Sequence, residues 1–256
     1  MLVQGESGMG ELAAVNEFIE LSRSVRSAHE LHALCDAMTR DMGFDYFALV
    51  QVDLRRTPGE RGVIAISSYP KEWVADISTG TRIEDDPAFL ASCRSLVGFR
   101  WSEMHTIIPL GRKQRTVLAR SRRAGIGDGY TVPAHIPGET NGLATFAVET
   151  RHPLPDHRLS MAQLTGTFAY EAARRLRRQT ETVLEPVRLT PRQIDCVLLI
   201  AKGKTDWEIG RILGLSEDTV TEHVDAARAR YGVARRSQLV VRALHDGHFA
   251  ITDALH

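Results

Sequence analysis

The spacing of apolar residues in the last quarter of the chain predicts four short helices. Helical periodicity starts after Thr190 and is interrupted at three glycines, and a threonine or serine that can cap a new helix follows each glycine within five residues. Thr190, Thr205 and Ser216 are the predicted N-caps of the first three helices, and Ser237 is predicted to open the fourth. Two helices joined by a short turn that contains a glycine are typical of a helix-turn-helix. Its second helix, predicted here over residues 217–230, is the one that enters the major groove of DNA.

The first 178 residues combine helical and strand patterns. Residues 1–10 are rich in glycine and are predicted to lie outside regular structure. Helices are predicted over residues 11–21, 27–43, 69–78, 112–124 and 158–178 and from Asp86 onward, and strands over residues 46–54, 62–68, 99–101, 130–136 and 143–148. Because helices stand before, between and after antiparallel strands, the pattern predicts an α+β fold, an α/β/α sandwich with a central antiparallel sheet.

A change of pattern near residue 180 predicts a domain boundary. Hydrophobic periodicity fades between Gln179 and Arg188, where Pro186 precedes the next helix cap. The sequence therefore predicts a mixed domain over residues 1–178, a linker over residues 179–188 and an all-α domain of four helices over residues 189–256.

Composition narrows the classes of protein to which the chain can belong. With 43% hydrophobic and 25% charged residues it is typical of a soluble globular protein, and no apolar run approaches the length of a membrane span. The N-terminus lacks the segments of a signal peptide, so we expect a cytoplasmic protein with no membrane partner. Cys35, Cys93 and Cys196 are odd in number and widely spaced, which favours reduced thiols and no metal site. The sequence contains no motif of a hydrolase, metalloprotease or nucleotide-binding enzyme, so neither enzymatic activity nor a cofactor is expected.

The order of motifs in the C-terminal domain resembles a known DNA-binding domain. LTPR at 189–192, the GK turn at 203–204, EIGRILGLS at 208–216 and the closing YGV at 231–233 resemble the LuxR-type DNA-binding domain over its whole length. A pair of helices packed for stability alone can have some of the same caps and glycine turns. It remains the alternative interpretation of this motif by itself. The resemblance implies a homodimer that binds double-stranded promoter DNA.

Motifs in the first domain resemble the autoinducer-binding domain of LuxR-type quorum-sensing regulators. They are YPKEW at 69–73, DP at 86–87, Trp101 followed by SE, and GDGYTVPAH at 127–135, with Thr145 two positions after a GL pair. The resemblance implies that the small-molecule effector is an N-acyl-homoserine lactone, which offers an amide N–H, two carbonyls and an apolar tail.

The residue types at these positions suit such a ligand. The resemblance implies that Asp86 accepts from the amide N–H, that Trp73 donates to the lactone carbonyl, and that Tyr69 and Thr145 donate to the acyl carbonyl. Ile77 departs from the family, which usually has a tyrosine there, so we expect an atypical acyl group. Taken singly, the tryptophans are more often core residues and Asp86 is more often a helix cap. The candidate ligand-binding residues are Tyr69, Trp73, Ile77, Asp86, Pro87, Trp101, Gly129 and Thr145.

The predicted recognition helix is acidic. Residues 189–256 hold nine Lys or Arg against nine Asp or Glu, and outward positions carry Asp218, Thr221, Glu222 and Asp225 where the family commonly has basic or amide residues. The candidate DNA-binding residues are Lys202, Lys204, Ser216, Thr219, Thr221, Glu222, Asp225, Arg228, Arg235 and Arg236. Among them the lysines and arginines are predicted to contact phosphates, and Thr221 is predicted to contact a base. We expect weak non-specific binding with a shallow salt dependence. The alternative is a LuxR-like protein, with an atypical ligand or none, that sequesters another regulator and does not bind DNA.

Overall fold

A computed structural model describes residues 4–52, 63–80, 83–136, 141–180 and 187–255, and of residues 4–9, 52, 63–65, 76–80, 84 and 180 it describes the backbone alone. The described residues form two compact units, one made of residues up to 135 and 141–180 and the other of residues 187–255. Each unit has its own buried core. None of the described helices is long and apolar enough to cross a membrane.

The first unit is built on the predicted antiparallel sheet. Its strands are β1 (Tyr46–Val52), β2 (Val63–Ser67), β3 (Phe99–Arg100), β4 (Ile126–Ala134) and β5 (Gly142–Glu149). They form one five-stranded sheet in the order β2-β1-β5-β4-β3. β4 begins at Ile126, four residues before its predicted start. The prediction missed residues 127–129 because they lack apolar alternation, whereas their backbone continues the strand, which pairs with β5 through an irregular register between Ile126 and Gly129.

Helices cover both faces of this sheet. They are α1 (Gln4–Ser24), α2 (Ala28–Asp41), α3 (Lys71–Gly80), α4 (Pro87–Ser92), α5 (Met104–Ile107), α6 (Arg112–Arg123) and α7 (Leu159–Thr180). On one face, α1, α2 and α7 cover the main core, in which Phe47 and Phe146 are fully buried. On the other face, Trp73 of α3 and Val117 of α6 pack with Ala147 of β5. The α/β/α sandwich that the sequence predicts is therefore confirmed.

Three helices of this unit extend beyond their predicted ends, and one of them, α3, ends at Gly80, two residues past its predicted end. Residues 4–10, predicted to lie outside regular structure, are helical and continue α1 toward the N-terminus. Extending a helix that has already formed requires no new nucleation, so a segment with glycines can follow it despite a low helix propensity. α7 continues to Thr180, two residues into the predicted linker. Residues 181–186 of that linker and residues 53–62, between β1 and β2, lie outside the described residues.

The second unit is all-helical. Its helices are α8 (Pro191–Ala201), α9 (Asp206–Leu213), α10 (Glu217–Tyr231), α11 (Arg236–His245) and α12 (Ile251–Leu255), the last too short to be predicted from periodicity. Thr190, Thr205 and Ser216 accept hydrogen bonds from backbone N–H groups in the first turns of α8, α9 and α10, as the sequence predicts. Between α9 and α10, Gly214 has a φ of +68°, a left-handed conformation that favours glycine. The predicted helix-turn-helix is therefore present.

The start of α11 differs from the prediction. The helix begins at Arg236, and Ser237 lies inside it. Gln238 accepts a hydrogen bond from the N–H of Arg235 at 3.0 Å, so a glutamine in the first turn stabilises this helix start in place of a serine cap.

Gly129 allows Trp101 to pack directly on β4, and this contact generates a prediction. A Cβ atom at Gly129 would lie 2.6 Å from the Trp101 ring and 2.8 Å from the carbonyl oxygen of Phe146. We expect Gly129→Ala to lower the free energy of unfolding by about 1–3 kcal/mol, because the ring or the strand must shift. Gly10→Ala is the matched control, since a Cβ there meets no atom within 4 Å. Urea unfolding followed by tryptophan fluorescence measures both variants, and wild-type stability of Gly129→Ala would contradict the packing role.

Candidate functional site

A cavity of about 220 Å³ lies in the first unit between the sheet and the helices α3, α4 and α6. Residues of β1 and β5 that alternate with the main core, among them Val50 and Leu143, form one side of it. Most of the wall is apolar, and indole, carboxylate and hydroxyl groups occur at a few positions. A mostly apolar cavity with a few placed polar groups is the usual form of a small-molecule site.

The structure brings six of the eight predicted ligand-binding residues to this wall. They are Tyr69, Trp73, Asp86, Pro87, Trp101 and Thr145. Gly129 lies behind Trp101 and makes room for its ring. The backbone of Ile77 belongs to α3, but its side chain lies outside the described residues.

Asp86 caps α4 and also lines the cavity. Its Oδ1 accepts hydrogen bonds from the N–H of Ala88 at 2.8 Å and from the N–H of Phe89 at 3.4 Å. Within the described part of the chain no donor hydrogen-bonds to Oδ2, so this oxygen is available to a bound molecule. Burial raises the pKa of the Asp86 carboxyl, and the two backbone N–H groups lower it in part. The helix cap and the ligand contact are therefore compatible roles of one side chain.

Tyr69 and Thr145 place two hydroxyl groups next to each other on the wall. Tyr69 Oη lies 3.4 Å from Thr145 Oγ1, and either atom can donate. Thr145 lies within β5, opposite Ala48 of β1 and Thr131 of β4, so the register of the sheet determines its position. Burial raises the pKa of the Tyr69 phenol, which keeps the hydroxyl protonated and able to donate.

The two tryptophans on the wall differ in their hydrogen bonds. Trp101 donates Nε1–H to Thr131 Oγ1 at 2.9 Å, so its ring forms a wall while its donor is already used. Trp73 is buried, and none of the described residues accepts a hydrogen bond from its Nε1–H. Because buried indole N–H groups usually have a partner, the Trp73 donor is available to an acceptor on a bound molecule.

The sequence did not identify the remaining residues of the wall. Ser67 and Ser121 add hydroxyl groups, and Met104, Val117 and Leu118 add apolar surface. Ser121 donates to the carbonyl of Leu118 at 2.9 Å. The spacing of Val117, Leu118 and Ser121 on a helix whose other positions are mostly basic is the signal from which this face could have been predicted. The described residues contain no group of three or more His, Cys, Asp or Glu that could hold a metal ion.

In the second unit, α10 exposes the acidic surface that the sequence predicts. Asp218, Thr221, Glu222 and Asp225 are all exposed. Two arginines predicted to contact phosphates form ion pairs within the unit: Arg228 with Asp225 at 2.9 Å, and Arg236 with Asp206 at 2.7 Å.

The other predicted DNA-binding residues lie at the start of α10 and at the edges of the unit. Ser216 Oγ accepts from the N–H of Thr219 at 3.1 Å, so both residues belong to the helix cap. Lys204 and Arg235 are exposed and Lys202 is partly exposed, and none of the three forms an ion pair with another described residue. Of the predicted DNA-binding cations, the three without an ion pair among the described residues therefore lie outside the acidic surface.

The raised pKa of Asp86 predicts a pH dependence of stability. A carboxyl whose pKa is raised on folding contributes stability that is fully present below the unfolded pKa, about 3.9, and is lost as pH rises through the folded pKa. Asp86→Asn removes this ionisation and keeps a side chain that caps helices well. We expect the melting temperature of ligand-free Asp86→Asn, relative to wild type, to rise between pH 4 and pH 7.

Differential scanning calorimetry of the ligand-free proteins across this pH range measures the difference. Asp41→Asn, at an exposed position of α2, is the control and should follow the wild-type pH profile. A constant difference between Asp86→Asn and wild type at all pH values would show that burial does not act on the Asp86 carboxyl.

Comparison with known proteins identifies both units. Residues 27–173 match the family described as "Autoinducer binding domain", and residues 187–243 match the one described as "Bacterial regulatory proteins, luxR family". The chain is 25% identical over 238 residues to the transcriptional activator protein AhyR of Aeromonas hydrophila, with 90% of each chain covered. It is 26% identical over 214 residues to the quorum sensing-dependent transcriptional regulator RpaR of Rhodopseudomonas palustris, covering 83% of this chain and 85% of that one. These relatives are transcriptional regulators and not enzymes.

Solved structures share the fold. Escherichia coli SdiA is similar with a TM-score of 0.67 at 20% identity, covering 93% of this chain and 99% of that one. CepR2 from Burkholderia cenocepacia is similar with a TM-score of 0.52 at 14% identity, covering 67% of this chain and 99% of that one. The autoinducer-binding match alone covers more than half of the chain. The chain therefore belongs to the LuxR family of quorum-sensing transcriptional regulators, with an autoinducer-binding domain followed by a LuxR-type helix-turn-helix.

Proposed function

We propose that this protein is a receptor for an N-acyl-homoserine lactone and that the liganded protein binds promoter DNA as a homodimer in the cytoplasm. One observation carries the proposal: Asp86 Oδ2 and Trp73 Nε1, which have no hydrogen-bond partner among the described residues, both belong to side chains on the wall of one apolar cavity. An acceptor and a donor placed in this way complement the amide N–H and a carbonyl of the ligand. The proposed functional parts are residues 1–178 for ligand and dimer contacts, 179–188 as linker and 189–256 for DNA.

The polar head of the ligand is proposed to bind at this group of side chains. Asp86 Oδ2 accepts from the amide N–H, a charged hydrogen bond that contributes about 1.5–3 kcal/mol. Trp73 Nε1–H donates to the lactone carbonyl, and the hydroxyls of Tyr69 and Thr145 donate to the acyl carbonyl. Pro87 and Trp101 provide apolar contacts, and Gly129 supports Trp101 from behind.

The acyl chain is proposed to pack against the apolar wall that Val50, Met104 and Leu118 supply. Each buried methylene contributes about 0.8 kcal/mol, so the chain supplies most of the affinity and the polar groups supply orientation. The hydroxyls of Ser67 and Ser121 lie on the same wall and suit an oxygen substituent on the chain. Ile77, in place of the usual tyrosine, is proposed to shift selectivity toward an atypical acyl group.

Two of the similar solved structures are of proteins described with ligands whose head groups differ chemically. CepR2 is described as N-acylhomoserine lactone dependent. SdiA has been solved in complex with octanoyl-rac-glycerol, and that structure has a TM-score of 0.65 at 21% identity, covering 92% of this chain and 95% of that one. An acylglycerol has hydroxyl donors and no amide N–H, so it is the competing ligand that an experiment must separate from a lactone.

Mass spectrometry of small molecules extracted from the purified protein tests the ligand. The protein is expressed in cells without a lactone synthase that are supplied with a mixed panel of acyl-homoserine lactones and acylglycerols. We expect wild type to retain one lactone per chain. Asp86→Asn should retain far less, because a lost hydrogen bond of about 1–3 kcal/mol lowers affinity by roughly 5- to 150-fold.

The exposed variant Asp41→Asn is the control for this experiment and should retain as much lactone as wild type. Recovery of an acylglycerol alone, or of no compound from a folded protein, would contradict the lactone assignment. Equal recovery from Asp86→Asn and wild type would contradict the role of Asp86.

A second candidate function is sequestration of another regulator without DNA binding. The observation in its favour is the acidic surface of α10 together with the ion pairs of Arg228 and Arg236, which engage two of the predicted phosphate-contacting cations. Fluorescence anisotropy with genomic DNA fragments, with ligand present and across a salt series, separates the two functions. Sequence-selective binding with a shallow salt dependence supports the DNA-binding regulator, and an absence of selective binding supports sequestration.

Homodimerisation generates a separate prediction. A DNA site with two-fold symmetry requires a reader with the same symmetry, so the liganded protein should be a dimer before it meets DNA. Multi-angle light scattering at micromolar concentration should give twice the chain mass of 28.4 kDa. A monomer that persists both in solution and on a duplex would refute the dimer.

A further inference from the structure

Asp206 connects three helices of the second unit. It is the first residue of α9, and its Oδ1 accepts a hydrogen bond from Arg236 of α11 at 2.7 Å. Its Oδ2 lies 3.3 Å from the Thr221 hydroxyl of α10, which can donate to it. The Asp206 side chain is 20% exposed and that of Arg236 is 40% exposed, so the ion pair lies at the surface where a polyanion can reach the arginine.

The guanidinium of Arg236 is only partly satisfied by this contact. A guanidinium has five N–H donors, and the Nε of Arg236 is buried without a hydrogen-bond partner among the described residues. Carboxylate and phosphate oxygens bind the same planar fork of donors. A DNA phosphate at Arg236 would therefore compete with Asp206 for the donors that point outward.

Arg228 and Asp225 repeat this arrangement on α10. Their ion pair measures 2.9 Å, and Arg228 also donates to the carbonyl of Ala234. In both pairs an acidic residue of the unit occupies the donors of an arginine that the sequence predicts to contact phosphates. The Asp206–Arg236 pair is the more informative one, because it joins residues 30 positions apart on different helices and is not a local pair within one helix.

We propose that Asp206 is a positioning residue that holds Arg236 in an internal ion pair and so withholds one cation from the DNA backbone. This inference rests on the proposed DNA binding. The carboxylate competes with a phosphate for Arg236, so the wild-type unit binds DNA through one phosphate contact fewer than it would without Asp206. The same carboxylate is one of two acceptors near the Thr221 hydroxyl, at 3.3 Å, and the other is the carbonyl oxygen of Glu217 at 3.1 Å.

Asp206→Asn separates these two roles. Asparagine keeps an acceptor for Thr221 and removes the charge that holds Arg236. In anisotropy measurements with the full-length protein and a duplex of random sequence, we expect Asp206→Asn to bind about two- to fivefold more tightly at low salt, since an ion pair this exposed is weak. The slope of log affinity against log salt should become steeper by about 0.9, the value for one additional phosphate.

A double-mutant cycle with Arg236→Gln tests the mechanism. If Asp206 acts through Arg236, Asp206→Asn changes neither affinity nor slope in the Arg236→Gln background. Asp206→Glu, which keeps the charge, should restore wild-type binding. The matched control is Asp218→Asn on the exposed face of α10, which removes one negative charge and should show no coupling to Arg236→Gln.

An equal gain from Asp206→Asn with and without Arg236 would overturn the proposal, because simple repulsion between Asp206 and DNA would then explain it. No gain in the wild-type background, with a duplex that the wild-type protein binds, would overturn it as well. Heparin affinity chromatography of the same variants gives a readout that does not depend on an operator, and Asp206→Asn should elute at higher salt only when Arg236 is present. If this shift occurs while no variant binds any duplex, the inference about Arg236 holds and the proposed DNA-binding function fails.

Discussion

Both faces of strand β5 are buried from Gly142 to Val148, and the rest of the first unit packs around this strand. Phe146 and Val148 pack into the main core, whereas Leu143 and Thr145 face the cavity on the opposite side. A sheet with two apolar faces requires cover on both. Helices fill one face completely and leave space over the other, so a ligand that binds there adds the missing contacts. Such a ligand stabilises the folded state by mass action, which couples signal recognition to the persistence of the unit.

The buried polar groups on the cavity wall lower the stability of the ligand-free protein. Burial disfavours the ionised form of Asp86, and the hydrogen bonds that it accepts at the start of α4 offset only part of this. Trp73 has a buried ring whose N–H has no acceptor among the described residues. Unpartnered polar atoms beside an apolar cavity are unfavourable in the empty protein and become favourable when a complementary molecule binds. The same atoms therefore reduce stability without ligand and provide specificity with it.

The second unit uses charge differently. Local helix caps and glycine turns determine the helix-turn-helix. The charge on the exposed face of α10 can therefore differ without changing the fold. Acidic residues on that face repel phosphates, and Asp206 and Asp225 also occupy the donors of Arg236 and Arg228. In the proposed DNA binding, both effects are expected to lower general affinity while the fold stays intact. Selectivity is then expected to depend on contacts at base edges more than on attraction to the backbone.

By itself, the sequence determined most of the elements of both units, because their signals act over one helical turn or along one strand. Thr190, Thr205 and Ser216 start helices through hydrogen bonds to residues three positions away, and apolar alternation locates the strands. The sequence also predicted that Asp86 and Thr145 contact the same ligand, but only through its resemblance to a family. Tertiary structure alone decided that Trp101 uses its donor on Thr131 and that Arg236 pairs with Asp206. These contacts join residues distant in the chain, and their distances follow from how helices pack on a sheet or on each other, which local spacing does not encode.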